Sequence, residues 1–176
     1  CPDVLPRVWS GSGRGDYRES PLELAGEPAD FRYTGYKIHE GGVSMACGLP
    51  QAHDAQETLE ITLSQPGAEL TLFYTAFPTA IVRRTVLTNT GDKPLRLNKL
   101  MSSCVDLPGS YTMATFNGGW IAEMRRCDTP VGASKVVNES LTGSSSNRHN
   151  PGFVLYEPGV TEDAGAVYGL ELIFSG

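Results

Sequence analysis

The residues able to do chemistry are present in this chain, but their spacing gathers few of them. Gly11 to Pro21 reads GSGRGDYRESP. A phosphate loop needs Gly-x-x-x-x-Gly-Lys-Ser/Thr between a strand and a helix, so that backbone N–H groups and the lysine hold the phosphates. The lysine is missing here and no helical pattern follows. A dinucleotide site needs a βαβ unit, which is also missing. Arg14-Gly15-Asp16 matches an adhesion tripeptide, but three residues recur by chance and would have to sit on an exposed loop tip. No Gly-x-Ser-x-Gly elbow occurs. His39, His53 and His149 have no neighbouring nucleophile in sequence and read as surface or turn residues. The carboxylates Glu57, Glu60, Glu69, Asp106 and Glu123 are scattered, so none is nominated for acid/base work and no catalytic residue is assigned.

Cys1, Cys47, Cys104 and Cys127 are far apart, with no C-x-x-C and no histidine at ligand spacing. Buried or free thiols are expected, with one disulfide as the alternative and neither metal nor cofactor. Asn138-Glu139-Ser140 is a glycosylation sequon that matters only in a secreted chain. One stretch differs in kind. FNGGWIAEM sets Trp120 behind two glycines at the start of a strand-like run. Glycines beside an indole leave room for a flat ligand, and an indole face suits the apolar C–H face of a sugar ring. On composition alone, an ordinary core tryptophan is the default reading of Trp120, and a sugar platform is its rival.

The elements that must position these residues read as strands. ETLEITL (57–63), AELTLFYTAF (68–77) and AIVRRTVLTNTGD (80–92) alternate or are rich in β-branched residues. PLRLNKLMSSCVDL (94–107), SYTMATF (110–116), WIAEM (120–124), GFVLYE (152–157) and AVYGLELIFS (166–175) complete the set. Residues 141–152 read as a long polar loop. Period-two patterning bounded by Gly, Pro, Asn and Asp is the strand signature. No segment carries a helical apolar stripe over three turns. The expectation is one all-β domain over residues 1–176, an antiparallel β-sandwich whose sheets pack face to face.

The 176 residues are 40% hydrophobic and 19% charged, with a formal net charge of −6. That balance argues against nucleic acid, which needs a clustered basic surface. Arg125-Arg126 is too small a cluster, and one of Arg83-Arg84 is expected to face solvent. No apolar run approaches the roughly 20 residues that span a bilayer. No signal-peptide pattern opens the chain, so a cytoplasmic location is expected, with secretion left open. The start at Cys1 and the end in VYGLELIFSG suggest a piece of a longer polypeptide.

Taken together, these stretches resemble the N-terminal domain of glycoside hydrolase family 36, the family of the larger microbial α-galactosidases. GSGRGDYRESPLEL is similar to the family's glycine–Asp–aromatic–Arg–x–Pro opening segment. DFRYTGYKIHEGG and GLP resemble its next strand and turn. ETLEITL, YTAFP, RRTVLTNTGDKPL and DLPG follow in the family's order. NGGW resembles its Gly-small-Trp motif, SSSNRHNPGFVL its Ser- and His-bearing loop, and TEDAGAVYGLELIFSG its closing strand. Each stretch is weak alone; the shared order across most of the chain carries the resemblance.

The resemblance implies a β-supersandwich ahead of a (β/α)8 barrel that carries two catalytic aspartates. It implies retaining hydrolysis of terminal α-linked galactose from oligosaccharides such as melibiose and raffinose. The barrel is absent from these residues, so the chain alone should be inactive. The resemblance also matches Trp120 to a tryptophan that reaches the sugar pocket, which reverses the composition-only default. Asp16 and Arg18 become loop anchors, and the parent is expected to be a homo-oligomer. Two departures stand out. Ile121, Ala122, Glu123 and Met124 follow the tryptophan where the family has a small residue and then Arg-Glu-Arg. Gly152 stands where the family has Phe, with Phe153 one place later. A stand-alone carbohydrate-binding β-sandwich is the alternative.

Overall fold

The computed structural model describes Trp9 and residues 20–25, 29–45 and 48–173. The glycine-rich opening segment with Arg14-Gly15-Asp16, Arg18, Cys1 and Cys47 lies outside the described residues. Every regular element among the described residues is a strand, and all pairings are antiparallel, so the all-β expectation holds. The chain divides into two compact units, Cys1–Leu107 and Pro108–Gly176.

In the first unit, β1 (Leu22–Leu24) and β6 (Leu97–Leu100) form a two-stranded ribbon. β2 (Arg32–Glu40), β3 (Glu57–Gln65), β4 (Ala68–Ala76) and β5 (Ile81–Asn89) form a meander in sequence order. The alternation that marks β4 in the sequence places Leu70 and Leu72 in a core with Leu22, Leu24 and Leu63. Trp9, Phe31, Ile61, Tyr74, Leu87 and Leu100 pack against that core. On the opposite face of the meander, Thr58 and Thr75 are buried with their hydroxyls 3.0 Å apart. Thr58 donates to the Gly41 carbonyl at 2.7 Å, so Thr75 is left to donate to Thr58.

The turns follow their residues. Pro66 and Gly67 join β3 to β4, with Gly67 at φ 80°. After β5, the Asn89 Oδ1 accepts from the Gly91 N–H at 3.0 Å, which realises the turn expected at Asn89–Asp92.

Two expectations need correction in this unit. Neither arginine of the 83–84 pair is free in solvent. Arg83 stacks on Tyr74 at 4.2 Å and Arg84 on Phe73 at 4.3 Å, and both are half-buried. Adjacent strand residues face opposite sides, and on each side the partner across β4 is aromatic. Burial holds both guanidinium pKa values below the ordinary range. The run expected over 94–107 pairs only at Leu97–Leu100, because its partner β1 has only three residues.

In the second unit, β7 (Tyr111–Gly119), β8 (Ala122–Val131), β9 (His149–Tyr156) and β10 (Val167–Leu170) form a sheet in the order β10-β9-β7-β8. Tyr111, Met113, Ala114 and Thr115 of the central strand β7 are buried. Tyr111 meets Tyr168 edge to face at 6.0 Å and donates to the Pro108 carbonyl at 2.9 Å. The edge strand β8 is mostly exposed and carries Arg125, Arg126, Asp128 and Pro130, residue types that discourage a further strand from adding there. Three sequence readings shift here. The polar loop ends at Arg148, because His149–Gly152 join β9. The final run pairs only over Val167–Leu170. The strand expected to start at Trp120 starts at Ala122.

Candidate functional site

Trp120 and Ile121 form the two-residue tip of the β7–β8 hairpin, between the paired residues Gly119 and Ala122. Both side chains project outward, 86% and 85% exposed. The register slips between Asn117 and Gly119, so Gly118 is the extra residue of a bulge. A Cβ on Gly118 would collide with the Ala122 carbonyl and sit 2.8 Å from the Glu123 Cα, so only glycine fits. Gly119 meets no such obstacle.

The tip is held from three directions. The Gly118 N–H donates to the Arg148 carbonyl at 3.0 Å, which ties the hairpin to the loop before β9. The Glu123 carboxylate accepts from the Ile121 N–H at 3.2 Å. The Asn150 side-chain amide reaches the Met124 sulfur at 3.6 Å. Ile121 and Met124 both have positive φ, 65° and 55°. For a β-branched residue that is a sterically disfavoured backbone, costing about 1–3 kcal/mol.

The loop that braces the tip satisfies itself. The Ser140 hydroxyl donates to the Ser144 carbonyl at 2.9 Å, and Asn150 Oδ1 accepts from the Gly152 N–H at 2.8 Å. The Asn138 amide donates to the Asn150 carbonyl at 2.9 Å. That bond occupies the nitrogen a glycan would need. Asn138, Glu139, Ser144, His149, Asn150 and Leu172 line an open cavity of ≈ 400 Å³ in this loop.

The remaining candidates stay apart. His39 is half-buried on β2, with Nε2 2.8 Å from a Glu60 oxygen whose partner oxygen faces Lys37 at 3.6 Å. His53 and His149 are exposed. Cys104 is half-buried and Cys127 exposed, and both are free thiols. Among the described residues, no three His, Cys, Asp or Glu side chains converge as metal ligands. No helix of the described residues is long and apolar enough to cross a membrane.

What the tip offers is therefore contact chemistry: an aromatic face and an aliphatic branch on a rigid mount, with no acid, base or nucleophile exposed between them. Sequence reasoning found Trp120 through its flanking glycines. It gave no role to Gly118, Ile121 or Glu123, although the glycine pair was the available signal for a bulge.

The family model for the glycosyl hydrolase family 36 N-terminal domain matches residues 1–176. The chain is 32% identical to the bifunctional α-galactosidase/sucrose kinase AgaSK of Mediterraneibacter gnavus, covering 99% of this chain and 20% of that protein. Its fold is similar to the family 36 α-galactosidase AgaB of Geobacillus stearothermophilus, with a TM-score of 0.86 at 30% identity. That match covers 99% of this chain and 26% of AgaB. A variant of α-galactosidase AgaA from the same organism, crystallised with raffinose, matches with a TM-score of 0.82 at 30% identity over 95% of this chain and 25% of AgaA. The chain thus spans between a fifth and about a quarter of the length of these relatives.

Proposed function

Because the chain belongs to glycoside hydrolase family 36, as its N-terminal domain, we propose that it serves a parent α-galactosidase as a non-catalytic wall. The parent cleaves terminal α-linked galactose from oligosaccharides such as melibiose and raffinose. The relatives named as α-galactosidases support this activity. Hydrolysis proceeds with retention, which requires a nucleophile and an acid/base carboxylate about 5 Å apart. Both belong to the remainder of the parent, a (β/α)8 barrel whose chemistry sits at the strand ends. The 176 residues alone do not turn over substrate.

The observation that carries the domain's role is the exposed indole of Trp120 on a braced hairpin tip. An indole held outward presents an apolar face to the C–H face of a sugar, and the brace keeps that face in place before substrate arrives. Trp120 forms part of the rim of the galactoside pocket. The parent assembles as a homo-oligomer, supported by the exposed Tyr33, Tyr36, Ile38 and Ile81 of the first unit. It works in the cytoplasm, where the free thiols Cys104 and Cys127 stay reduced.

The test is kinetic. In the full-length parent, Trp120→Ala should lower kcat/KM on raffinose by about tenfold, the scale of one aromatic contact. Unchanged kinetics would remove Trp120 from the site, and turnover by the isolated chain would overturn the division of labour.

A further inference from the structure

Ile121 occupies the second central position of the hairpin turn with φ 65°, the place where a left-handed residue is normally Gly or Asn. The chain has glycine at the two preceding tip positions, 118 and 119, and a β-branched residue where the backbone conformation is least tolerant of one. At 85% exposure, the side chain gains almost no packing among the described residues in return. Its strain is held in place by its neighbours. The Glu123 carboxylate fixes the Ile121 N–H, and Gly118 is anchored to Arg148. Strain retained on an outward-facing side chain, beside the exposed indole, marks a side chain used against something outside the fold.

We propose that Ile121 is a specificity-determining contact of the parent enzyme, meeting the leaving group of the galactoside rather than the galactose. The proposal rests on the reading of Trp120 as part of the pocket rim. A tip contributed from outside the barrel reaches the mouth of the pocket, where the leaving group emerges. The sec-butyl group has no donor or acceptor and sits next to the indole. Together they form an apolar edge that suits an aryl or alkyl leaving group and gives nothing to a hydrated sugar hydroxyl. The ligand class is therefore an α-galactoside with an apolar aglycone.

The experiment compares Ile121→Asn, Ile121→Val and Trp120→Ala with the wild-type parent. It measures kcat/KM on an aryl α-galactoside and on raffinose, together with melting temperature. Asn tolerates the left-handed conformation, so Ile121→Asn should leave the melting temperature unchanged or raised. Its aryl-to-raffinose ratio of kcat/KM should fall by about tenfold, the scale of an alkyl contact in an apolar site. Ile121→Val keeps the branch and should keep most of the ratio. An unchanged ratio in Ile121→Asn would overturn the proposal. So would a lower melting temperature, which would mean that the side chain serves the fold. If Trp120→Ala is impaired while Ile121→Asn is not, only this proposal fails. If Trp120→Ala is fully active on both substrates, the rim reading fails and takes this proposal with it.

Discussion

The two glycines before Trp120 have opposite requirements, and alanine substitution separates them. At Gly118 a Cβ would strike the Ala122 carbonyl oxygen, with the Ala122 carbonyl carbon at 2.9 Å and the Glu123 Cα at 2.8 Å. All three obstacles are backbone, so no rotamer change relieves them. The hairpin must open, which costs about 1–3 kcal/mol as overpacking. Opening also strains the Gly118 N–H bond to the Arg148 carbonyl, worth about 1 kcal/mol. Gly118→Ala should therefore destabilise the chain by about 2–4 kcal/mol. A Cβ on Gly119 meets no heavy atom within 4 Å, and Gly119 is not among the positive-φ residues. Gly119→Ala should stay within about 0.5 kcal/mol of the parent sequence. Urea denaturation of both variants, followed by far-ultraviolet circular dichroism, measures the difference. Equal stability of the two variants would refute the claim that backbone crowding fixes the tip.

Other outcomes follow from the same geometry. Leu72→Ala removes a fully buried side chain from the first unit's core and should cost about 2–5 kcal/mol in the same denaturation assay. Thr58→Val leaves the Gly41 carbonyl and the Thr75 hydroxyl without their partner, so a loss of about 1–3 kcal/mol is expected, and Thr75→Val should cost less. In the native chain, a thiol reagent should label Cys127 before Cys104, read by mass spectrometry after proteolysis. Calorimetric titration of the isolated chain with galactose or raffinose should give no measurable heat of binding. A clear isotherm would favour a stand-alone sugar-binding module.

The sequence shows best what short-range pattern decides. Strands β3, β4 and β5 were readable to within two residues at each end, because Leu59–Leu63 and Leu70–Leu72 alternate and Pro66-Gly67 and Asn89–Asp92 are turn chemistry. β6 was overextended, because a strand reaches only as far as its partner and β1 is short. The Arg83-Arg84 pair misled because charge suggests solvent, while the aromatic platforms sit on the neighbouring strand. At the tip, Trp120 was singled out by its glycines but placed in a strand. No Asn-Gly or Asp-Gly marks the turn, and the left-handed position is filled by Ile121. The braces from Glu123 and Arg148 are tertiary and have no local signature.

The meander β2-β3-β4-β5 joins only strands that are neighbours in sequence. Such a sheet can be built in the order in which a ribosome delivers it, since each hairpin closes in about 1–10 μs. Synthesis adds only about 5–20 residues per second. For a parent as long as the relatives, about three-quarters of the polypeptide would follow this chain, on the order of tens of seconds of translation. The first unit can be finished while that remainder is still being made. Its ribbon waits only for Leu97–Leu100, so a nascent chain stalled after β6 has cleared the exit tunnel should already resist protease across β2–β5.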